Sequence, residues 1–265
     1  MVRVKHEKPR GVLNVRSAAL AHGLSRYAPS EALAPFVEHY WIVRWSLAEP
    51  RRAETLPHPS IHMVLEPARS EIVGVMRGKF SRMLEGEGRV IGTKFRPGAF
   101  RAFVDRPVSS FSDRRWPLAA VFGDRLNGFD ARALAQPDDA GAVEEIEAFL
   151  QSLHPVASDA MVLAGRITGR IAAGREITRV EQLVEELGIS LRQLQRLFRE
   201  YVGVTPKWVI QRYRLIEAAE RLASGPLPDL AGLAAELGYA DQPHFIRDFK
   251  KIVGRAPAEY ARQIE

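Results

Sequence analysis

The sequence predicts an α+β chain of two domains, in which a mixed N-terminal domain precedes an all-α C-terminal domain. Short β-prone runs separated by proline and glycine fill residues 27–115, whereas the segments after Asp159 have helical spacing. The length of 265 residues exceeds one average domain. His154-Pro155 ends a helix, because a residue before proline disfavours the helical region. We therefore expect a basic tail over residues 1–22, one domain over residues 23–155 and a second domain over residues 156–265.

The composition is that of an ordinary globular protein and excludes several kinds of site. Hydrophobic residues make up 46% and charged residues 26%, which leaves ample apolar surface to bury. The sequence has no cysteine, so disulfides, Cys-ligated zinc and thiol catalysis are excluded. No apolar run approaches the roughly 20 residues that a bilayer span requires, and residues 1–16 lack the apolar centre of a signal peptide. These features predict a cytoplasmic protein without a membrane segment.

The N-terminal half contains runs rich in β-branched and aromatic residues, followed by a helical pattern. Because proline and glycine separate the runs, they predict an antiparallel sheet or a small barrel. Helical spacing then extends from Pro117 to Leu153. The basic tail before the strands is assigned no function. The predicted strands cover His39–Trp45, Ile61–Leu65, Glu71–Met76 and Arg89–Phe95.

The C-terminal half contains two copies of one sequence pattern. Leu183-Val-Glu-Glu-Leu-Gly188 matches Leu233-Ala-Ala-Glu-Leu-Gly238 at an offset of 50 residues. Further matches follow at an offset of 51, so the second copy has one extra residue in its turn. In order, Leu194, Arg196, Phe198, Val202, Gly203 and Pro206 of the first copy correspond to Phe245, Arg247, Phe249, Val253, Gly254 and Pro257 of the second.

Each copy has the layout of a helix-turn-helix, which is a short helix, a turn and a second short helix. Gly188 and Gly238 suit the left-handed conformation that ends a helix sharply. Ser190 and Asp241 stand where the second helix of each copy needs an N-cap. Apolar residues at helical spacing predict that each second helix packs on its first, which leaves the polar side chains facing outward.

The outward-facing side chains of the two second helices are mainly Arg, Gln and Lys. Arg and Gln form bidentate contacts with guanine and adenine edges in the major groove, while Lys mainly contacts phosphate. The formal charge of +6 agrees with a polyanionic partner. A single charged helix is usually an ordinary solvated face, but the repeat argues against that alternative here. The candidate DNA-binding residues are Arg192, Gln193, Gln195, Arg196 and Arg199 in the first copy, and Gln242, His244, Arg247, Lys250 and Lys251 in the second.

A long helix is predicted between the two copies, from Thr205-Pro206 to Ser224. Apolar residues recur along one face of this segment, and proline suits a first helical turn. At about 1.5 Å per residue the helix would measure roughly 28 Å, which approaches the ~34 Å between successive major-groove faces. One chain could therefore present both second helices to adjacent half-sites on one side of a duplex.

Several motifs of the C-terminal half occur together in one known family. They are Leu187-Gly-Ile-Ser-Leu-Arg-Gln-Leu-Gln-Arg-Leu-Phe198, Gly203-Val-Thr-Pro206, Arg214-Leu215, Leu237-Gly-Tyr-Ala-Asp-Gln-Pro-His-Phe-Ile-Arg-Asp-Phe-Lys250 and Gly254-Arg-Ala-Pro257. Through them residues 160–265 resemble the AraC/XylS family of bacterial transcription regulators. The resemblance implies that the second helix of each motif enters the major groove, led by Arg192, Gln195 and Arg196 in the first copy and by Gln242, His244 and Arg247 in the second.

Pro243 distinguishes the second copy from the family pattern, which often has a polar side chain there. Proline is tolerated in a first helical turn but donates no backbone hydrogen bond. We therefore expect the first motif to set most of the sequence choice. The second motif, with its Lys250-Lys251 pair, is expected to contribute more through backbone anchoring.

The first half is similar to the N-terminal regions of some AraC-type regulators, through residues 27–41 and Gly92-Thr-Lys-Phe-Arg-Pro-Gly98. The resemblance implies a sensor or dimerisation module. The implied partners are promoter DNA in the bacterial nucleoid, RNA polymerase, and either a small-molecule effector or a second copy of the chain. Trp41, Arg44 and Arg96 are the candidate effector contacts, although such aromatic residues often belong to a core and such arginines to the surface. A constitutive DNA-binding factor without an effector and a protein-interaction module remain the alternatives.

The sequence motifs of common enzymes and metal sites are absent. We find no nucleophile elbow, phosphate-binding glycine loop or metal-protease helix. His58 and His62 are four residues apart, but Pro57 and Pro59 disfavour a helix there and no third ligand is evident. A DNA-repair methyl-acceptor would need a cysteine thiolate, which the sequence lacks. We therefore expect a protein that is not an enzyme and that holds neither a metal nor a cofactor.

Overall fold

The computed structural model describes Gly11, Leu13, residues 23–174 and residues 176–264. Nearly all of the predicted tail over residues 1–22 thus lies outside the described residues. The described chain begins with an antiparallel sheet and continues into helices, which confirms the predicted α+β class. No helix within these ranges combines the length and the apolar character that crossing a membrane requires.

Six antiparallel strands make up the sheet of the N-terminal half. In chain order they are β1 (Ser25–Tyr27), β2 (Val37–Thr55), β3 (His62–Leu65), β4 (Glu71–Val73), β5 (Phe80–Phe95) and β6 (Arg115–Pro117). Their spatial order is β1-β2-β5-β3-β4-β6. Because β1 and β6 each pair on one side only within the described residues, the sheet is open there, and the antiparallel-sheet form of the prediction is the correct one.

The two long strands β2 and β5 are strongly bent. Thr55 pairs with Phe80, and His62 pairs with Lys94. A straight β5 would separate Phe80 from Lys94 by about 46 Å at roughly 3.3 Å per residue, whereas the chain from Thr55 to His62 reaches about 25 Å at most. The sheet must therefore curl. A register shift after Leu47 marks a β-bulge, which increases the local bend.

Aromatic rings fill the core between the sheet and the short helices that follow it. Phe95 of β5 lies 5.0 Å from Phe100, and Phe100 lies 5.3 Å from Phe111, measured between ring centroids. Both partners belong to 3₁₀ helices, which span Ala99–Phe103 and Val108–Phe111. Three α-helices complete this half: α1 (Leu118–Phe122), α2 (Phe129–Ala135) and α3 (Asp139–Ser152).

Seven α-helices, and a π-helical turn over Phe198–Val202, form the described part of the C-terminal half. The α-helices are α4 (Asp159–Ala173), α5 (Val180–Leu187), α6 (Leu191–Leu197), α7 (Pro206–Leu222), α8 (Leu230–Glu236), α9 (Gln242–Val253) and α10 (Pro257–Ile264). The predicted long helix is α7, which contacts α4, α5 and α10. It is buried on most sides, so it forms the centre of the helical half as well as the link between the two motifs.

Buried charge ties α7 to α4. Arg214 is 3% exposed, and its guanidinium donates to Glu217 Oε2 at 2.8 Å and to the carbonyl oxygens of Ile171 and Gly174. These partners satisfy a cation that would be costly to bury alone. Arg214 therefore fixes the end of α4 against the long helix.

Buried apolar residues continue without a break from the sheet into the C-terminal helices. The loop over residues 153–158 separates α3 from α4, and Ser158 caps α4 by accepting from Met161 N at 3.2 Å. The predicted border between residues 155 and 156 falls in this loop and stays a prediction. The two halves pack closely enough for contacts between them to influence function.

Candidate nucleic-acid interface

The first motif consists of α5, a turn and α6. Gly188 ends α5 with a φ of 63°, in the left-handed region that glycine adopts readily. Leu194 and Phe198 are fully buried and hold α6 in place. This packing turns the candidate DNA-binding side chains of the motif outward. The exposed residues are Arg192, Gln193, Gln195, Arg196 and Arg199.

Gln193 belongs to the cap of α6. Ser190 Oγ accepts from Gln193 N at 3.2 Å, and Gln193 Oε1 accepts from Ser190 N at 2.8 Å. This reciprocal arrangement is a capping box, which satisfies two backbone N–H groups at the start of a helix. The carbonyl oxygen of the Gln193 side chain is thus engaged in the protein's own structure. The arrangement favours a capping role over the base-reading role expected for this residue.

The second motif consists of α8, a turn and α9. Gly238, with a φ of 77°, lies in the turn, and Asp241 Oδ1 accepts from His244 N at 2.7 Å to cap α9. Phe245 and Phe249 are fully buried. Pro243 lies in the first turn of α9, where the structure accommodates it as predicted. The outward face consists of Arg247, Lys250 and Lys251, which are exposed, with Gln242 and His244 half-buried beside them.

His244 is more constrained than the other candidates of α9. Its ring lies 5.4 Å from that of Tyr239 in an edge-to-face arrangement, and its Nε2 lies 3.6 Å from Asp248 Oδ2. These neighbours restrict the directions in which the imidazole can point. Arg247 is therefore the better-exposed candidate for base contact in the second motif.

Unpaired cations are a feature of the two outward faces. Within the described ranges, neither Arg196 nor Arg247 lies within ion-pair distance of a carboxylate, and the two occupy equivalent positions in the repeat. Two other arginines of the C-terminal half are paired with carboxylates: Arg170 with Glu176 and Glu186, and Arg221 with Glu236. Positive charge is therefore available to an external polyanion at the two second helices.

The end of each second helix contacts the N-terminal half, which sequence reasoning did not predict. After α6, Glu200 accepts from Arg101 Nε at 2.8 Å, and Gly203 O accepts from Ser112 Oγ at 2.6 Å. At the end of α9, Val253 O accepts from Lys79 Nζ at 3.2 Å. These partners lie far apart in sequence, and no spacing rule relates them. The N-terminal half therefore touches both DNA-binding motifs.

The three candidate effector residues do not come together. Trp41 Nε1 donates to His62 Nδ1 at 3.3 Å, and Arg44 pairs with Asp139 at 2.5 Å. Only Arg96 lines the cavity of about 600 Å³ between the sheet and α4. The structure thus separates Arg96 from the other two, and no common pocket for all three follows from it.

The two histidines considered for metal binding have different surroundings. His58 faces the ring of Tyr213 at 5.8 Å, whereas His62 accepts from Trp41. Burial, with help from Lys94, lowers the pKa of His62 to about 3. In the parts of the chain that the structure describes, no three His, Asp or Glu side chains group closely enough to hold a metal ion.

Two family descriptions match the chain. Residues 183–263 match a helix-turn-helix domain, and residues 25–117 match a domain of unknown function, DUF6597. The first range begins within α5 and covers the rest of the first motif and all of the second. The second range spans the six-stranded sheet.

Curated relatives match the C-terminal part. The transcriptional activator RhaS of Pectobacterium atrosepticum is 31% identical over 81 residues, which are 31% of this chain and 29% of RhaS. The transcriptional activator RclR of Escherichia coli K12 is 32% identical over 85 residues, 32% of this chain and 30% of RclR. The F1 operon positive regulatory protein of Yersinia pestis is 38% identical over 81 residues, 31% of this chain and 27% of that protein. The chain thus matches about a third of the length of these relatives or less.

Solved structures are also similar to the chain. One is the C-terminal domain of AraT, a response regulator from Geobacillus stearothermophilus, which is 29% identical in sequence. The match covers 37% of this chain and 82% of the AraT chain, with a TM-score of 0.34. Another is ToxT K231A from Vibrio cholerae, which is 14% identical in sequence. The match covers 85% of this chain and 98% of the ToxT chain, with a TM-score of 0.39.

The family match and the named relatives agree with the motifs read from the sequence. Residues 183–263 of this chain form a helix-turn-helix domain, and this part of the chain is similar to the transcriptional activators RhaS and RclR.

Proposed function

We propose that this chain is a sequence-specific DNA-binding transcription regulator that inserts α6 and α9 into adjacent major-groove segments. The observation that carries the proposal is the equivalent exposure of Arg196 and Arg247 on two capped, internally packed helices. Arginine forms bidentate contacts with guanine, and a helix of this size fits the major groove. The curated relatives are named as transcriptional activators and regulators, which supports the same function.

The long helix sets the distance between the two contacts. With 17 residues, α7 measures about 25 Å at 1.5 Å per residue. This length is of the same order as the ~34 Å helical repeat of DNA that separates successive half-sites. Because α7 is buried and anchored by Arg214, it holds the motifs as a semi-rigid pair. One chain then reads two half-sites.

The remaining partners follow from this function. We propose that the chain acts at promoter DNA in the bacterial nucleoid and works through RNA polymerase, not through catalysis of its own. The N-terminal domain would sense a ligand or pair with a second copy of the chain. Its contacts with the ends of both second helices give it a route to influence DNA binding. A population shift between domain arrangements would be the mechanism.

A random-sequence selection with the intact chain tests this function. We expect enrichment of one DNA motif and retention that falls steeply with salt, since cation contacts to phosphate release counterions. Arg196→Ala should relax the motif at one position. Arg51→Ala is the matched control, because Arg51 is an exposed arginine of the N-terminal sheet. Retention without an enriched motif, or no retention, would leave the protein-interaction alternative as the better one.

A further inference from the structure

A cavity of about 600 Å³ lies where α4 meets the N-terminal sheet, and we call it the interdomain cavity. Its walls come from both halves of the chain, with Lys94 and Arg96 on one side and Arg166 of α4 on the other. Tyr213 of α7 also lines it. Cavities that hold small organic molecules measure about 300–1,000 Å³. The volume is therefore suited to a small ligand that touches both domains at once.

One face of α4 carries small residues, which leave space for the interdomain cavity. Gly165, Gly169 and Ala172 follow one another at helical spacing and line the interdomain cavity. A Cβ atom at Gly165 would lie 3.2 Å from Pro97 O, so the chain passes close to the helix there. A Cβ atom at Gly169 would meet no atom within 4 Å. The space next to Gly169 is therefore open to a ligand.

Positive charge exceeds negative charge around the interdomain cavity. Lys94 Nζ lies 2.8 Å from Glu38 Oε1, so these two charges offset each other. Arg96 uses its Nε to donate to Ala34 O at 2.7 Å, which fixes the side chain and leaves the terminal nitrogens of the guanidinium available. Arg166 has no ion pair with a described residue. Two guanidinium groups from opposite domains thus face one cavity, and neither has a carboxylate partner in the part of the chain that the structure describes.

The rest of the cavity lining is suited to the apolar part of a ligand. Met161, Val162 and the ring of Tyr213 contribute apolar surface. The Tyr213 ring is held by an edge-to-face contact with His58 at 5.8 Å between centroids. A ligand that fits this lining has an anionic end and an apolar remainder. A guanidinium recognises a carboxylate through two parallel hydrogen bonds.

We propose that the interdomain cavity binds a small organic carboxylate, with its anionic end between Arg96 and Arg166 and its apolar body along Met161 and Tyr213. This proposal rests on the proposed function, because it identifies the chemical class of ligand that the regulator would sense. Since the ligand touches both domains, its binding changes the relative stability of their arrangements. Thermodynamic linkage then requires that ligand and DNA alter each other's affinity by the same factor.

The test uses the intact chain with 4-phenylbutanoate as the probe and 4-phenylbutanamide as its uncharged match. Isothermal titration should show saturable binding of the acid and at least tenfold weaker binding of the amide. Arg96→Ala and Arg166→Ala should each weaken binding of the acid at least tenfold. Gly169→Leu should abolish it, because the leucine side chain occupies the open space. Arg51→Ala should bind the acid as the unaltered protein does.

The outcomes separate the two proposals. Absence of saturable binding, or equal binding of acid and amide, overturns the carboxylate site. A loss of DNA binding in Arg96→Ala or Arg166→Ala without any ligand also overturns it, because the two arginines would then be DNA-phosphate contacts. Thermal unfolding of each variant identifies those that fail to fold, and Gly169→Ala serves as the milder variant, with an expected partial loss of affinity. Saturable binding of the acid by a chain that does not retain DNA would support the site and contradict the proposed function.

Discussion

Lys79 of the N-terminal half contacts Val253 at the end of α9. The Nζ of Lys79 donates a hydrogen bond to the main-chain oxygen of Val253 at 3.2 Å. The same ammonium group lies 2.8 Å from Glu54 Oε1, whose side chain is almost fully buried. Arg255 lies 3.7 Å from the other carboxylate oxygen. A buried charge cluster thus joins the curled sheet to the second DNA-binding motif.

Lys79→Met should destabilise the protein. The substitution removes the cation that lies 2.8 Å from Glu54, whereas Arg255 stays 3.7 Å away. The negative charge of the buried Glu54 carboxylate is then less well balanced by positive charge. We expect the free energy of unfolding to fall by about 2–3 kcal/mol, somewhat less than for a buried charge left wholly unpaired. Urea titration followed by circular dichroism measures this loss. Lys207→Met is the control, since Lys207 is exposed and should change stability by less than about 0.5 kcal/mol.

Gln193→Ala should affect stability and leave base preference alone. The Gln193 side chain accepts a hydrogen bond from Ser190 N in the capping box. Loss of this bond should lower the free energy of unfolding by about 1 kcal/mol, and Ser190→Ala should have a similar effect because it removes the reciprocal bond. Gln195→Ala is the matched comparison on the same helix, because Gln195 is exposed and takes no part in the cap. We expect it to change base preference with little effect on stability. An altered DNA motif for Gln193→Ala would restore the base-reading role to that residue.

Lys250→Ala should weaken binding to all DNA sequences alike. Lys250 is exposed in the last turn of α9, and an ammonium group there is suited to phosphate. The slope of log affinity against log salt should decrease by about one unit. Fluorescence anisotropy with a specific and an unrelated duplex measures both quantities. A loss confined to the specific duplex would show that Lys250 contacts a base.

Stability should decrease in mild acid because of two half-buried histidines, His39 and His62. Burial first, and then the charge of Lys94, lower the pKa of His39 and of His62 to about 3. In the unfolded chain an imidazole titrates near 6.5. The stabilisation is therefore fully present above pH 6.5 and is lost as the pH falls towards 3. Well below pH 6.5 each ring contributes a slope of about 1.4 kcal/mol per pH unit.

His62→Gln isolates this effect. Glutamine retains an oxygen that can accept from Trp41 Nε1, the donor to His62 in the native protein. The free energy of unfolding of the native protein, relative to that of the variant, should decrease by about 1.4 kcal/mol from pH 7.5 to pH 5.5. Parallel stability curves over that range would mean that His62 is protonated as readily in the folded protein as in the unfolded chain.

Local signals in the sequence predicted the helical half well. Gly188 and Gly238 adopt the left-handed conformation expected of them, and Ser190 and Asp241 cap the helices that follow. Each of these features depends on residues within one or two helical turns. Glycine, serine and aspartate have strong conformational preferences at such positions, so the sequence is sufficient to place the turns.

The strands of the N-terminal half were harder to delimit. The predicted strand ended at Trp45, whereas β2 continues to Thr55 through a polar stretch that contains Pro50. Hydrophobic alternation is lost there because both faces are largely exposed. Pro50 is accommodated within the register shift, where no ladder hydrogen bond is needed from it. Pairing with β5, which is distant in sequence, extends the strand.

Contacts between the halves were beyond sequence reasoning. Arg101 contacts Glu200 and Ser112 contacts Gly203, although the partners of each pair are separated by about a third of the chain. No periodicity or motif relates such pairs, since they depend on how two separately patterned halves dock. The interdomain cavity arises from the same docking. Arg96 was predicted as an effector contact from its residue type, but its facing partner Arg166 was not.

The proposed function requires that α6 and α9 of one chain read one duplex together. Random-sequence selection with the intact protein, repeated with Arg196→Ala and with Arg247→Ala, tests it most directly. We expect two enriched half-sites about one helical turn apart, of which Arg196→Ala relaxes one and Arg247→Ala the other. A single half-site that is lost in one variant and unchanged in the other would contradict it.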